Sequence, residues 1–92
     1  MNIKVRAFGG YRELLGRELS LSLPERATVR RLLERLGDSS PAFAAEVLDA
    51  CGRLRPYVRV LRNGRDVRNA GGLETVMAEG DEIALFPPLA GG

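Results

Sequence analysis

Residues 18–36 read Glu18-Leu19-Ser20-Leu21-Ser22-Leu23-Pro24-Glu25-Arg26-Ala27-Thr28-Val29-Arg30-Arg31-Leu32-Leu33-Glu34-Arg35-Leu36, and the hydrophobic period changes in the middle of them. Up to Leu23 the period is two: Leu19, Leu21 and Leu23 alternate with Glu18, Ser20 and Ser22, as in a strand buried on one face. Pro24 has no amide hydrogen for a ladder and ends it. After Thr28 the apolar residues Val29, Leu32, Leu33 and Leu36 fall at i, i+3, i+4 and i+7, one stripe of an amphipathic helix. Thr28 is placed to cap the first turn of that helix, and Gly37 to close the last. A half-buried strand and a half-buried helix in immediate succession each need an apolar face opposite, and the rest of the chain must supply it.

Toward the N-terminus, Ile3, Val5 and Ala7 alternate with Asn2, Lys4 and Arg6, a second strand. Gly9-Gly10 breaks it, and Tyr11 to Gly16 reads as a loop with one helical turn. Two alternating strands so closely connected make an antiparallel hairpin. Toward the C-terminus, Ser40-Pro41 is a cap followed by proline at the first helical position. Ala44, Val47, Leu48 and Cys51 continue at helical spacing, which predicts a buried, unreactive thiol. Strand character returns at Tyr57 to Arg62, with Val58 and Val60 on one face. Asn63-Gly64 is the strongest short turn signal in the chain, and Arg65-Asp66-Val67 the expected return strand. Arg68 to Gly72 is irregular, and Leu73 to Met77 is expected to dock through Leu73 and Val76. A turn at Glu79-Gly80-Asp81 leads to a last alternating strand, Glu82 to Phe86, stopped by Pro87-Pro88. The order is therefore strand, strand, helix, short helix, strand, strand, strand. It predicts an α+β fold: a mixed sheet of four to five strands with the last strand central, grasping one main helix.

Ninety-two residues suffice for one domain with one core, expected over residues 1–86, with an extended tail over 87–92. No run approaches the roughly 20 apolar residues that cross a bilayer. The N-terminus alternates instead of forming a signal-peptide core, so a cytoplasmic protein is expected. There is one cysteine and no histidine, which excludes a disulfide framework, a Cys/His zinc site and a histidine-based triad. No metal site is expected. The net charge is +2, with thirteen arginines and one lysine interspersed among twelve acids. Arg30, Arg31 and Arg35 cluster around Glu34. The spacing suits a solvated helix face, or alternatively an RNA patch that would lack interleaved aromatics for base stacking.

Two features stand outside the core pattern. Phe8 and Phe86 have the opposite parity to the buried residues of their strands. If those strands are parallel neighbours, the rings meet on the exposed face where the tail departs, either covering loose core at the sheet rim or forming a partner-binding patch. The tail, Pro87-Pro88-Leu89-Ala90-Gly91-Gly92, begins with two residues that direct it semi-rigidly and ends with two that carry no Cβ. One reading is a frayed end with incidental glycines. The other is a carboxylate that can be threaded down a narrow channel of another protein.

The string from Glu79 to Gly92 resembles the C-terminus of the MoaD/ThiS family, ubiquitin-like sulfur carriers that include the small subunit of molybdopterin synthase. Ile3-Lys4-Val5 and Arg12-Glu13-Leu14-Leu15-Gly16 resemble that subunit's opening. Asp66 to Thr75 is similar to carriers that deliver sulfide for cysteine biosynthesis. Gly9-Gly10 and the basic balance depart from the molybdopterin subunit. The resemblance implies a β-grasp fold and a chain that is a co-substrate, not a catalyst. It implies that an E1-like adenylating enzyme, using ATP and magnesium, activates the Gly92 carboxylate for conversion to a thiocarboxylate. Leu89, Ala90 and Gly91, with Pro87 and Pro88, would lie in the partner's channel, and Phe8 and Phe86 would dock the partner. No cofactor would be bound by the chain itself. The receiving partner would be a molybdopterin synthase large subunit or a pyridoxal-phosphate cysteine synthase, with no nucleic acid or membrane involved. A protein modifier that forms isopeptide bonds to lysines would use the same adenylate.

Overall fold

The structure, a computed structural model, describes residues 1–88. Strands β1 (Asn2–Ala7) and β2 (Glu18–Ser22) form the expected hairpin, connected through a short helix α1 (Tyr11–Leu15). Helices α2 (Val29–Ser39) and α3 (Pro41–Val47) follow, then strands β3 (Arg59–Arg62), β4 (Arg65–Asp66) and β5 (Glu82–Phe86). The five strands form one sheet in the order β2-β1-β5-β3-β4. Only β1 and β5 run parallel, so the sheet is mixed and the last strand is inserted centrally.

Register explains the core. Val5 stands opposite Ile83 and Ala7 opposite Leu85 across the parallel pair, and Val60 stands opposite Leu85 on the other side. All five are buried, as are Val29, Leu32, Leu33 and Leu36, the stripe of α2 laid over them. Leu19 and Leu21 face the same way but are only half-buried, because β2 is an edge strand. The Thr28 hydroxyl accepts from the Arg31 amide and caps α2 as expected.

Gly37 does not close α2. The helix runs on to Ser39, and Gly37 serves packing instead: a Cβ there would lie 2.9 Å from that of Ala44. The missing side chain lets α3 cross close to α2. Ser40 both ends α2 and, through its hydroxyl, caps α3, with Pro41 at the first helical position.

Cys51 is exposed, contrary to the buried position its spacing predicts. Helix α3 stops at Val47, and Leu48 turns extended to pair with Leu54. The Asp49 carboxylate then accepts from the amides of Cys51 and Arg53, both at 2.9 Å, and a left-handed Gly52 completes the turn. Local side-chain-to-backbone bonding overrides the helical continuation. Val76 is also corrected. The backbone is extended there, with the Val29 amide bonded to Thr75 and that of Met77 to Ala27. Thr75 and Met77 therefore point inward and Val76 outward, 49% exposed.

Asn63 and Gly64 both have positive φ, 50° and 85°, the geometry of a two-residue hairpin turn between β3 and β4. The turn is anchored by Asp81, whose carboxylate accepts from Arg62 Nε at 2.7 Å, Asn63 Nδ2 at 2.9 Å and the Ala78 amide at 2.8 Å. Burial opposes ionisation of Asp81. The bonds from Asn63, Ala78 and Arg62, with the Arg62 charge, outweigh it and hold the carboxyl below its usual range. A depressed native value means stability that is complete above the unfolded carboxyl's titration and is lost as pH falls through the native one. Asp81→Ala is expected to cost about 1–3 kcal/mol in urea unfolding at neutral pH. The gap between variant and wild type should shrink as pH falls through the acid range; an equal gap at acid pH would exclude this role.

Among the described residues no helix is long and apolar enough to cross a membrane.

Candidate functional site: the aromatic face at the root of the tail

Because β1 and β5 are parallel neighbours in register, their outward residues coincide at the end where β5 finishes. The Phe8 amide donates to the Leu85 carbonyl at 3.1 Å and ties the two strand ends together. The Phe8 and Phe86 rings stack with centroids 4.4 Å apart and planes at 8°. On the other face of the same strands Ala7 and Leu85 belong to the core, at 1% and 0% exposure, while both rings are half-buried. Beside the stack is an open hollow of about 620 Å³, whose walls include Tyr57, Leu61, Pro87 and Pro88. Tyr57 is 50% exposed, and with Phe8 and Phe86 it sets three aromatic rings around the hollow.

One contributor was not visible in the sequence pattern. Gly9 has φ +56°, and a Cβ there would lie 2.7 Å from Cγ of Pro87. The proline ring thus rests where a side chain would be, and the seat fixes how the chain leaves the sheet. The signal that could have found it is the register: continuing the β1/β5 pairing past Ala7 and Leu85 sets Gly9 opposite Pro87. Leu89, Ala90, Gly91 and Gly92 lie outside the described residues.

The remaining candidates fall elsewhere. Arg30 bonds Glu74 at 2.8 Å and the Gly52 carbonyl at 2.7 Å, Arg31 stands 3.9 Å from Glu34, and Arg35 reaches the Ser22 carbonyl at 3.3 Å. Arg30 and Arg35 tie α2 to Gly52, Glu74 and β2, whereas Arg31 pairs with Glu34 within the helix. The Asp49 carboxyl is held below its usual range by the Arg53 amide first; burial opposes this, while the Cys51 amide and the charges of Arg53 and Arg55 reinforce it. The Tyr11 hydroxyl is buried, with no hydrogen-bond partner among the described residues, and its ring is edge-on to Phe43 at 5.3 Å. Burial foremost, then Glu46 and Tyr57, pushes its ionisation up to about 12, which favours the neutral phenol. The described residues thus gather a half-exposed aromatic face around the point where the chain leaves the sheet.

Along its full length the chain is 33% identical over 93 residues to small archaeal modifier protein 3 of Haloferax volcanii, covering 100% of both. The crystal structure of SAMP1 from Haloferax volcanii superposes with a TM-score of 0.87 at 33% identity, again covering 100% of both chains. A chain of the Amycolatopsis orientalis BexX/CysO complex superposes with a TM-score of 0.80 at 28% identity, covering 98% of this chain and 99% of that one. Residues 5–92 match the ThiS family. With its β-grasp architecture, the chain belongs to the ThiS/MoaD family of ubiquitin-like sulfur carriers.

Proposed function

We propose that the chain acts through the α-carboxylate of Gly92, delivered into a partner's active site, and that it serves as the small subunit of molybdopterin synthase. A carboxylate is a poor electrophile. Attack of its oxygen on the α-phosphorus of ATP, held by an E1-like enzyme with magnesium, releases pyrophosphate and forms an acyl adenylate. A sulfur donor at the sulfide level then displaces AMP and leaves a thiocarboxylate, whose sulfur is the nucleophile in the receiving enzyme. The partner supplies acids, bases and electrostatic stabilisation. This chain supplies presentation, and the observation that carries the reading is the Pro87 ring seated on Gly9 beside the Phe8/Phe86 stack. The tail root is aimed, and a docking face adjoins it. The molybdopterin branch is supported by Leu85-Phe86-Pro87-Pro88, which resembles that subunit.

A second reading has its own support: the full-length similarity to small archaeal modifier protein 3 favours a modifier joined to lysines through the same adenylate. Intact mass after co-expression with a matched activating enzyme tests the shared step, and exchange of one oxygen for sulfur at Gly92 is expected. Recovery of nothing but the carboxylate would end the carrier reading. Consumption of the thiocarboxylate by a molybdopterin synthase large subunit, and not by a pyridoxal-phosphate cysteine synthase, is expected for the proposed branch. Lysine-linked adducts on other proteins would instead favour the modifier. A cytoplasmic location accords with both.

A further inference from the structure

Beside the aromatic hollow, and sharing Phe8 with it, lies a second cleft of about 360 Å³ lined by Arg6, Ala7, Phe8, Arg12, Arg17 and Glu18. Three arginines and one glutamate are thus among its lining residues. The backbone gathers them: the Ala7 amide donates to the Arg17 carbonyl at 3.0 Å, and Arg12 Nε donates to the Ala7 carbonyl at 3.1 Å. The guanidinium carbons of Arg6 and Arg12 stand 5.7 and 5.4 Å from the Phe8 centroid, within cation–π range of one ring. Arg6 has two loose acidic neighbours, Glu18 at 3.8 Å and Glu82 at 3.4 Å. Among the described residues, neither Arg12 nor Arg17 has an acid within 4.0 Å.

We propose that Arg6, Arg12 and Arg17 form a carboxylate-recognition pocket, which takes an acidic side chain of the protein that docks on Phe8 and Phe86. Like charges drawn to one ring repel one another, and an anion between them relieves that repulsion. The planar guanidinium fork matches a carboxylate, whose two oxygens can each accept. Contiguity with the aromatic hollow identifies the occupant as a protein surface. One partner patch, an apolar side chain flanked by an aspartate or glutamate, fills both clefts at once, whereas a free anion leaves the hollow empty. Its location at the tail root means that docking there also commits the tail. The docked protein's role in sulfur transfer rests on the carrier reading; the pocket's preference for carboxylate does not.

The test therefore needs no activating enzyme. The full chain, labelled with nitrogen-15, is titrated with an acetylated and amidated pentapeptide that alternates leucine with aspartate and glutamate. Its counterpart with asparagine and glutamine, inorganic phosphate and oligouridylate are titrated separately. The acidic peptide is expected to shift the side-chain Nε–H signals of Arg6, Arg12 and Arg17, and to bind about ten-fold more tightly than the amide peptide, the difference one charge-assisted bond makes. Arg12→Gln and Arg17→Gln should each weaken it by about three-fold, a factor scaled to exposed ion pairs. Arg53→Gln, outside the cleft, should not weaken it. Because Arg12 also bonds the backbone, Arg17→Gln is the cleaner arm if Arg12→Gln is poorly folded. Equal binding of the two peptides, or no effect of Arg17→Gln, overturns the proposal. So does tighter binding of phosphate or oligouridylate at the same signals, which would make the cleft a phosphate or nucleic-acid site.

Discussion

Deletion of Gly91 and Gly92 is expected to abolish formation of the thiocarboxylate while leaving the unfolding midpoint in urea unchanged. The two halves of that expectation have separate grounds. Stability resides in a core whose last members are Ile83 and Leu85, both fully buried, and Pro88 beyond them is already exposed. Removing Gly91 and Gly92 is expected to leave that core, built within residues 1–88, as it is. The chemistry, in the proposed function, needs a carboxylate that reaches into an adenylating site. Truncation leaves the new carboxylate on Ala90, about two residues short, or roughly 7 Å of extended chain. Misplacement of a reacting group by even 1 Å can cost about 100-fold, so the truncated carrier should react below detection. Gly92→Ala is the graded version: the terminus reaches the site, but its methyl meets a channel shaped for backbone alone. A loss of at least about 100-fold in the rate of thiocarboxylate formation, read by intact mass over time, is expected. A truncated chain that supported the pathway fully would show the tail to be inert and would leave an interaction domain as the reading.

The parts of this molecule that were legible in its sequence are those where one local rule acts without competition. The period change between Leu23 and Val29 placed β2 and α2, because a two-residue and a 3.6-residue pattern cannot be mistaken for one another over that length. Asn63-Gly64 placed the β3/β4 turn because both positions need positive φ. Parity alone put Phe8 and Phe86 on the outer face, and the parallel β1/β5 pairing brought the rings together. What stayed hidden depended on two rules in conflict or on distant neighbours. Gly37 looks like a helix terminus until α3 folds back over it and needs its missing Cβ. Cys51 looks helical until Asp49 captures two backbone amides. Gly9 looks like a strand break, and its function as a seat exists only because Pro87, seventy-eight positions away, arrives beside it. The arginine cleft likewise draws on residues before and after α1 that share no periodic pattern. The site, more than the core, is built from such coincidences of register.

Phe86→Asp is expected to be the most damaging single change to partner binding that leaves the fold intact. The ring is half-exposed on the face opposite the helices, while its strand neighbour Leu85, fully buried, points to the other face. The loss to stability should be confined to the stack with Phe8, about 0.5–1.5 kcal/mol. The new carboxylate is also well received: Phe86 stands opposite Arg59 across the β3/β5 pair, and an Asp there gains a cationic neighbour. Binding is a different matter. An aromatic at the centre of a docking face acts as an anchor whose removal costs about 2–4 kcal/mol, or roughly 30- to 1,000-fold in affinity. A charge in its place adds the desolvation of a carboxylate against the partner's apolar surface. The measurement is calorimetric titration of the activating enzyme with each carrier, beside urea unfolding of each carrier alone. The two numbers must diverge, with affinity falling far more than stability. If both fall together by several kcal/mol, Phe86 is a core residue and the stacked rings are not a docking face. Divergence would further show that the face contributes to affinity separately from the tail, since nothing beyond Phe86 is altered in this variant. The geometry accounts for that separation: Pro87 leaves the sheet from its seat on Gly9, at the edge of the proposed docking face.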